Sequence, residues 1–273
     1  MEELIEKAAR DLVKSDYAIA LTGAGVSTES GIPDFRGPSG IWTRNPEAER
    51  KAYQTYYKFL ANPKKYWEER LSTPSLLGDL AKMKPNPSHY ALAELEKIGI
   101  IKCVITQNID NLHQKAGSRN VIEYHGNAFK LRCLNCGGRF NSEEFDLEKL
   151  RIEGNLPPIC PICGGILKSD VVHFMEPIPK DVVKQSLEEV SKCDLMLICG
   201  TSAVVYPFAE LPRIAKRRII RKEDKLVSVI IIEVNAEPTP LTEEGISDYL
   251  IQGKTGQILP KIVEEVKNLK NKI

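Results

Sequence analysis

Four short apolar runs, each ended by polar or glycine-rich residues, define a predicted sheet. They lie at Tyr17–Leu21, Ile100–Ile105, Leu195–Cys199 and Val227–Val234. Runs of this kind, rich in β-branched residues, are typical of strands that are buried on both faces of a parallel sheet. Helical patterns lie between the runs, so we predict an α/β fold with a doubly wound parallel sheet.

Apolar residues spaced three or four positions apart predict the helices. The pattern occurs in Met1–Ser15, Ser88–Ile98, Pro179–Ser191 and Pro207–Arg217. In doubly wound folds, ligands bind at the carboxyl ends of the strands. The polar turns that follow the four apolar runs should all lie at that edge, so we expect them to form one site.

Two segments interrupt the alternation of strands and helices. Residues 38–85 are rich in Tyr, Lys, Asn and Pro, and they predict a helical lobe with loops. Residues 129–169 contain two cysteine pairs and two double glycines but few apolar runs. Such a segment cannot easily form its own hydrophobic core, so we expect it to be stabilised by a covalent or metal cross-link.

The cysteines are the candidates for this cross-link. They form two pairs, Cys133-x-x-Cys136 and Cys160-x-x-Cys163, and each pair is followed by a double glycine. This spacing, in a reducing compartment, indicates a tetrahedral Zn²⁺ site rather than disulfides. Four protein ligands leave no open position on the metal, which favours a structural role. A nucleic-acid-binding ribbon is disfavoured, because acidic residues between the pairs are at least as numerous as basic ones. The three remaining cysteines, in apolar surroundings, are expected to be buried.

Composition and charge narrow the class of protein. The chain has 273 residues, 42% of them hydrophobic and 27% charged, with a formal net charge of +1. The chain has no strong excess of basic residues, so direct nucleic-acid binding is not predicted. The amphipathic start is not an export signal, and no apolar run is long enough to span a bilayer. We therefore expect a cytoplasmic protein without membrane association, acting as a monomer.

The first turn, Gly23-Ala24-Gly25-Val26-Ser27-Thr28, begins like a dinucleotide fingerprint. Thr28 stands where that fingerprint expects a third small residue. Instead of a long helix, the segment Ser30–Arg36 follows, with Gly, Pro, Asp and Arg that indicate an extended loop. We predict a dinucleotide site with a covering element, rather than an ordinary dehydrogenase, because no acidic residue follows at ribose-binding spacing.

Polar residues also accumulate after the second run. The segment Thr106–His113 places several polar side chains at the end of a buried strand, which is costly for folding alone and indicates a site. A capped helix start explains only one or two of them. His125 follows in Glu123-Tyr124-His125-Gly126; a single histidine is more often structural than catalytic, so its position alone does not assign a role.

Six motifs together resemble one family. They are GAGVSTESGIPDFRG (Gly23–Gly37), TQNIDNLHQKAG (Thr106–Gly117), YHG (Tyr124–Gly126), the two CxxC pairs, GTS (Gly200–Ser202) and VNAEPT (Val234–Thr239). In this order they resemble the sirtuins, NAD-dependent protein-lysine deacylases, over nearly the whole chain. The resemblance implies a Rossmann-like domain formed by residues 1–37, 86–127 and 170–273. It also implies a small lobe made of a helical module (38–85) and a four-cysteine zinc module (128–169).

The resemblance also implies which residues bind the substrates. For NAD, which is consumed, they are Gly23, Ala24, Gly25, Thr28, Asp34, Phe35, Arg36, Gln107, Asn108, Ile109, Asp110, Gly200, Thr201, Ser202, Asn235, Ala236, Glu237 and Thr255. For the acyl-lysine protein or peptide they are Val172, Phe174 and Val205. The glycine-rich loop would hold the pyrophosphate with amides at a helix start, and Phe35 would cover the nicotinamide ribose.

The catalytic residues implied by the resemblance are His125, Asn108 and Asp110. His125 would act as the general base on a ribose hydroxyl that receives the acyl group. The products would be deacylated lysine, nicotinamide and 2′-O-acyl-ADP-ribose. Two other functions stay open on the sequence: protein mono-ADP-ribosyl transfer, and a non-catalytic NAD-sensing or zinc-ribbon interaction module.

Two departures from the family pattern bear on specificity. Met175 occupies a position where the family usually has glycine, so the peptide groove is expected to narrow if that position needs a positive φ. Family members that prefer acidic acyl groups carry Tyr-x-x-Arg, whereas here Tyr66 and Arg70 are one residue too far apart. We therefore predict a preference for neutral acyl groups.

Overall fold

The computed structural model describes residues 1–38, 40–222 and 224–272. The strands are β1 (Ala18–Thr22), β2 (Ile101–Thr106), β3 (Val121–Glu123), β4 (Lys130–Cys133), β5 (Arg139–Asn141), β6 (Leu167–Ser169), β7 (Leu195–Cys199), β8 (Ile219–Lys222), β9 (Lys225–Ser228), β10 (Ile230–Asn235) and β11 (Tyr249–Gln252). The α-helices are α1 (Glu2–Lys14), α2 (Ile41–Arg44), α3 (Pro46–Ala61), α4 (Pro63–Ser72), α5 (Pro87–Lys97), α6 (Leu112–Lys115), α7 (Leu147–Ile152), α8 (Lys180–Lys192), α9 (Glu210–Lys216), α10 (Pro240–Glu243) and α11 (Thr255–Lys270). Short 3₁₀ helices occupy Ala24–Val26, Thr28–Ser30 and Ser142–Glu144.

The central sheet has six parallel strands in the order β3-β2-β1-β7-β10-β11. This is the strand order of a doubly wound dinucleotide-binding fold, and it reverses direction between β1 and β7. The predicted α/β fold with a doubly wound parallel sheet is confirmed. The reversal aligns Thr22 with Cys199 on one side and with Thr106 on the other. The turns after β1, β2 and β7 therefore meet at one edge.

Helices cover both faces of this sheet. On one face α1, α5 and α11 pack against a cluster that includes Leu12, Leu92 and Ile262. On the other face α8 and α9 pack against a cluster that includes Val190, Leu211 and Phe208. Strand residues of the centre are buried on both faces, since all five positions of β1 and of β7 are inaccessible to solvent. Among the described residues, no α-helix has the length and apolar character needed to cross a bilayer.

Asparagine–proline pairs start three of the helices. In each pair the asparagine side chain accepts a hydrogen bond from a backbone N–H of the first turn, and the proline is the first helical residue. Proline suits that position because its missing N–H would have no partner within the helix. The pairs are Asn45-Pro46 before α3, Asn62-Pro63 before α4 and Asn86-Pro87 before α5.

Most predicted elements occur within a residue or two of their expected bounds. The fourth apolar run differs, because Val227 belongs to β9 of an antiparallel hairpin and β10 begins only at Ile230. The predicted helix at Pro207–Arg217 begins at Glu210. Strands β3 and β11 have no counterpart in the sequence analysis. They are the two edges of the sheet and are short and incompletely buried, so they lack a long apolar run.

The small lobe contains the two segments that interrupt the alternation. Strands β5, β4 and β6 form its antiparallel sheet. Its core joins Phe59, Tyr66 and Trp67, from α3 and α4, to residues of the cysteine-containing segment such as Leu131 and Leu167. The Trp67 indole Nε1 also donates to the Leu167 carbonyl at 3.0 Å. The cysteine-containing segment has no separate core, as expected, and it shares this one with the helices of the other segment.

Candidate active site

A cavity of about 740 Å³ lies at the carboxyl edge of the central sheet, between the sheet and the small lobe. Its lining includes every residue predicted to bind NAD or substrate or to act in catalysis, with the exception of Gly23. The turns after β1, β2, β7 and β10 all contribute to it. The predicted convergence of these polar turns on one site therefore occurs.

Glycines allow the turns after β1 and β7 to touch. The Gly25 amide donates to the Gly200 carbonyl at 2.8 Å. A Cβ atom on Gly25 would lie only 2.8 Å from the Gly200 Cα, closer than packed atoms tolerate. Gly200 itself has a φ of +57°, in the left-handed region that favours glycine. These two residues therefore bring the backbones together beside the cavity.

The glycine-rich loop differs from the predicted helix start. It forms two single-turn 3₁₀ helices, Ala24–Val26 and Thr28–Ser30, and Gly31 ends the second with a φ of +88°. The chain then continues as the predicted extended loop. Two backbone hydrogen bonds of 2.9 Å close that loop, from Ile41 to the Asp34 carbonyl and from Trp42 to the Phe35 carbonyl. The loop borders the cavity as a covering element.

Trp42 connects this loop with the segment predicted to bind substrate. Its ring centroid lies 4.8 Å from that of Phe35 and 5.2 Å from that of Phe174. The Arg36 guanidinium lies 4.5 Å from the Trp42 ring centroid and 3.8 Å from a Glu49 carboxylate oxygen. Sequence analysis missed Trp42, which follows the recognised motif by five residues.

A hydrogen-bond network orients the two polar residues after β2. Asn108 Nδ2 donates to the Gly23 carbonyl and to Ser27 Oγ, both at 3.0 Å. Ser27 Oγ in turn donates to Asp110 Oδ2 at 2.7 Å. Asp110 Oδ1 accepts from the Leu112 amide at 2.9 Å. Ser27 thus joins the first two motifs; it lies within the glycine-rich motif, which was the available signal, but it was not among the predicted site residues.

Asp110 is buried, and burial raises the pKa of its carboxyl, while the hydrogen bonds from Leu112 and Ser27 act in the opposite direction. Desolvation of a carboxylate is unfavourable unless donors compensate for the lost water. Hydrogen-bond donors from a bound ligand would therefore stabilise this carboxylate further. A ligand amide is a suitable partner.

His125 lies in the turn after β3 and is half-buried beside the cavity. Burial lowers the pKa of its imidazole to about 4, although a hydrogen bond to the Gln107 backbone acts in the opposite direction. The ring is therefore neutral near pH 7 and retains a lone pair that can accept a proton. Its carbonyl accepts from the Val172 amide at 2.9 Å, which ties the turn to the predicted substrate segment.

Two further histidines lie behind the site. His89 and His113 are buried, with ring centroids 5.0 Å apart. His113 Nε2 is hydrogen-bonded to Thr22 Oγ1 at 2.9 Å, and His89 Nε2 lies 3.3 Å from Ser27 Oγ. Burial lowers the pKa of His89 to about 4 and that of His113 to about 3. Neither residue was among the predicted site residues, although His113 ends the polar segment Thr106–His113 that indicated a site.

Hydrogen bonds between side chains and backbone fix the turns after β7 and β10. The Thr201 amide donates to Asn235 Oδ1 at 2.9 Å, and Gln107 Nε2 donates to Thr201 Oγ1 at 2.7 Å. Behind them the buried carboxylate of Glu233 accepts from Asn235, Thr239, Thr242 and Ser247. The predicted adenosine-side residues are thus held in one arrangement by the strand ends.

The predicted substrate segment follows β6. Val172 and Phe174 line the cavity together with Val205. Met175 has a φ of +68° and a side chain that is 60% exposed, so the family's glycine position does require the left-handed region here. The Tyr66 hydroxyl is hydrogen-bonded at 2.8 Å to Nε2 of His173, which itself lines the cavity.

The four paired cysteines form the predicted metal site in the small lobe. Their sulfurs all lie within 4.8 Å of one another, with 3.5 Å between Cys133 and Cys163 and 3.7 Å between Cys136 and Cys160. Tetrahedral coordination at the usual Zn–S distance needs sulfurs about 3.8 Å apart, so the arrangement fits zinc. Strand β5 lies between the two pairs. None of the four residues lines the cavity, which agrees with a structural role.

Known proteins resemble this chain over its whole length. The model of the Sir2 family matches residues 23–207. A relative from Archaeoglobus fulgidus named NAD-dependent protein deacylase 2 is 46% identical, with 99% of both chains covered. One from Pyrococcus furiosus named NAD-dependent protein deacylase is 43% identical, covering 97% of this chain and 99% of its own. This chain belongs to the Sir2 family, as its motifs predicted.

Solved structures agree in fold. A Sir2 enzyme studied for its mechanism and regulation is 46% identical, with a TM-score of 0.76, and the match covers 98% of this chain and 100% of that one. A Sir2 homologue in complex with NAD is 39% identical, with a TM-score of 0.74 and coverage of 97% and 94%. Sir2Af2 bound to a myristoylated histone peptide is 41% identical, with a TM-score of 0.66 and complete coverage of both chains.

Proposed function

We propose that this protein is an NAD-dependent protein-lysine deacylase. The observation that carries the proposal is a neutral histidine, His125, in one cavity with the glycine-rich loop and with the segment that contains Val172 and Phe174. The names of the relatives and the NAD and acyl-peptide complexes of the structural neighbours support it.

Different residues of the cavity bind different parts of NAD. The loop from Gly23 to Arg36 and the turns at Gly200–Ser202 and Asn235–Glu237 hold NAD, with Thr255 at the adenosine side. Asn108 and Asp110 orient the nicotinamide end, the carboxylate accepting from a carboxamide N–H. Their fixed hydrogen bonds to Ser27 mean that little reorganisation is needed on binding.

His125 is the general base. NAD, when bound, supplies an ADP-ribose acceptor for the acyl group and releases nicotinamide. His125 accepts the proton of the ribose hydroxyl that takes the acyl group, and the lysine leaves as a free amine. A neutral imidazole can accept this proton, whereas an imidazolium cannot. The overall reaction consumes one water molecule, and its products are deacylated lysine, nicotinamide and 2′-O-acyl-ADP-ribose.

The substrate is an acyl-lysine on a protein or peptide. The Val172 amide is hydrogen-bonded to the His125 carbonyl, so Val172 lies beside the proposed base. The Val172 carbonyl would accept the lysine amide N–H. Phe174 and Val205 supply apolar walls for the lysine alkyl chain. Apolar and small side chains of α2 and α3 border the acyl end of the cavity, among them Ile41, Ala48 and Ala52.

Zinc has a structural role in this proposal. The sulfurs of Cys133, Cys136, Cys160 and Cys163 would hold it, and two of these cysteines belong to the core of the small lobe. The backbone amides of Gly138 and Gly165 hydrogen-bond to Cys136 and Cys163, which suits thiolates. Bound metal would therefore stabilise the lobe that carries one wall of the cavity.

We further propose the domain division given above, with the Rossmann-like domain at residues 1–37, 86–127 and 170–273. Metal-binding thiols favour a reducing compartment, which supports a cytoplasmic location. A monomer is sufficient for activity, because one chain supplies all walls of the cavity. Light scattering of the purified protein tests this last point.

The experiment that tests the function is incubation with NAD and a panel of acyl-lysine peptides, with and without His125→Ala. Mass spectrometry of the products should show free lysine peptide and acyl-ADP-ribose, at a rate about 10²–10⁴-fold lower in the variant. ADP-ribosylated peptide instead of acyl-ADP-ribose would establish the alternative transferase. Absence of NAD turnover with every peptide would support a non-catalytic module.

A further inference from the structure

A cluster of charged side chains lies where the His125 turn meets the zinc module. Two carboxylates, Glu123 and Asp170, are almost completely buried, with side chains 4% and 1% exposed. Three cations face them: Lys130 and Arg132 from β4, and Arg139 from β5. All three cations belong to the cysteine-containing segment, while the carboxylates lie at the ends of β3 and β6.

Arg139 connects the two carboxylates. Its Nη2 lies 2.5 Å from Glu123 Oε2 and also donates to Asp170 Oδ2, and its Nε donates to Asp170 Oδ1 at 3.1 Å. Lys130 pairs with Glu123 at 2.9 Å and Arg132 pairs with Asp170 at 3.0 Å, whereas Arg139 pairs with both acids. Arg139 is thus the cation that joins the two acids.

These acids are tied to the chain on both sides of His125. Glu123 precedes it by two residues, and Asn127, two residues after it, donates its amide to Asp170 Oδ2 at 2.9 Å. Asn127 Nδ2 also donates to Glu123 Oε1 at 2.5 Å. Gly126 is pressed against the Asp170 backbone, where a Cβ atom would lie 1.9 Å from the carbonyl oxygen. The turn that carries His125 is therefore held on both sides by the partners of Arg139.

Arg139 lies close to the cysteines of the predicted metal site. Arg139 is the third residue after Cys136, and it forms the β4–β5 pair with Arg132, next to Cys133. The Cys133 amide donates to the Gly138 carbonyl at 2.8 Å, so the turn between the first two cysteines leads directly into Arg139. A metal bound to these cysteines would therefore constrain the backbone from which the Arg139 side chain extends.

We propose that Arg139 is a positioning residue through which the zinc module holds the His125 turn in its working position. The proposal rests on the assignment of His125 as the general base. Loss of the guanidinium would leave Glu123 and Asp170 buried with one cation each, and uncompensated buried charge is unfavourable enough to displace a short turn. Small displacements of a catalytic group lower rates strongly.

The test compares Arg139→Met and Arg139→Lys with the control Arg151→Met. Arg151 belongs to the same module and pairs with Glu148 on the surface, with side chains 41% and 56% exposed. The control therefore removes an arginine of the same module without touching the buried acids. Arg139→Lys keeps the charge but loses the fork geometry that bridges two carboxylates.

Two readouts separate positioning from general damage. In the Arg139→Met variant, kcat should fall about 10- to 100-fold, while the KM for NAD changes less than about twofold, because the glycine-rich loop does not contact the cluster. Hydrogen exchange should show faster exchange of the Asn127 and Val172 amides, with zinc content unchanged at one per chain. Arg139→Lys should lie between, and Arg151→Met should match the wild type.

The hydrogen-exchange arm does not depend on activity. Removing zinc from the wild type with a chelator should expose the same two amides together with the segment around Cys133–Arg139. The proposal is overturned if Arg139→Met leaves kcat and both amides unchanged, or if Arg151→Met has the same effect. If Arg139→Met does not fold, Arg139→Lys decides by the same two readouts. An inactive wild type with the expected exchange pattern would contradict the proposed function and leave the structural coupling standing.

Discussion

At the scale of single residues, desolvation sets the chemistry of the histidines. His89 and His113 are fully enclosed, and burial holds the pKa of each well below its usual value of about 6.5. His125 follows the same direction beside the cavity. Each imidazole is therefore kept neutral at physiological pH, which for His125 is the state required of a base.

The buried pair predicts how stability depends on pH. Below pH 6.5 the unfolded chain binds protons at His89 and His113, whereas the folded protein does so only near pH 3 to 4. The free energy of unfolding should therefore be greatest above pH 6.5 and fall with decreasing pH, by up to about 1.4 kcal/mol per pH unit for each histidine. Urea unfolding at pH 7, 6 and 5 measures this. A stability that is constant or rises over this range would contradict it.

His125 gives a second pH prediction. Because burial lowers the pKa of His125 to about 4, the acid limb of kcat/KM should lie well below pH 6.5, the value for a free imidazole. The measurement is a pH–rate profile between pH 4.5 and 8, with protein stability checked at each point. Loss of activity centred near pH 6.5, in protein that is still folded, would show that His125 is solvated or is not the base.

Met175 replaces the glycine that is usual in the family, and its backbone has the left-handed conformation that favours glycine. Its φ of +68° costs a side-chain-bearing residue about 1 kcal/mol relative to glycine. We expect Met175→Gly to change the free energy of unfolding by less than about 1 kcal/mol, since relief of strain and added chain entropy oppose each other. It should also broaden the range of peptides accepted. Met175→Ala removes the bulk and keeps the strain; if it gives no broadening, the backbone rather than the side chain limits the groove.

At the scale of elements, the contact between the turns after β1 and β7 depends on glycine. Gly25→Ala would place a Cβ 2.8 Å from the Gly200 backbone and must separate the two turns. We expect NAD affinity to fall at least about tenfold, measured by calorimetry. Gly117→Ala is the control: it has a φ of +106° but open space around it, so it tests backbone strain alone. Equal losses in both variants would mean that the close approach is unimportant.

Element boundaries also show why some structure was predictable. The buried central strands β1, β2 and β7 have long apolar runs, and their predicted bounds differ from the observed ones by at most one residue. The edge strand β3 has three residues, and β11 is half exposed, so their residues carry no distinctive pattern. The apolar run Val227–Val234 resembles one continuous strand, but its first residues belong to β9, which pairs with β8 in a hairpin. Burial, rather than strand formation as such, made a strand visible.

At the scale of the whole molecule, the two lobes enclose the acyl end of the cavity. The Tyr66 hydroxyl is bonded to His173, and the Glu176 carboxylate borders the same cavity, paired with Lys168 at 3.1 Å. Arg70 also borders the cavity, and the Tyr66 hydroxyl next to it is already engaged by His173. Matched acetyl and succinyl peptides should therefore show faster deacetylation. Faster removal of succinyl would refute this preference, and its loss in Arg70→Met would identify the group responsible.

The sequence by itself determined the features that depend on neighbouring residues: buried central strands ended by glycine or polar turns, cysteine pairs with metal-ligand spacing, and motifs sufficient to indicate the family. Tertiary structure decided what depends on contacts between distant residues. The state of His125 follows from its burial, the pairing of Arg139 with Glu123 and Asp170 spans 16 and 31 residues, and Ser27 meets Asp110 across 83. Desolvation and charge pairing act through space, so no local pattern in the chain reveals them.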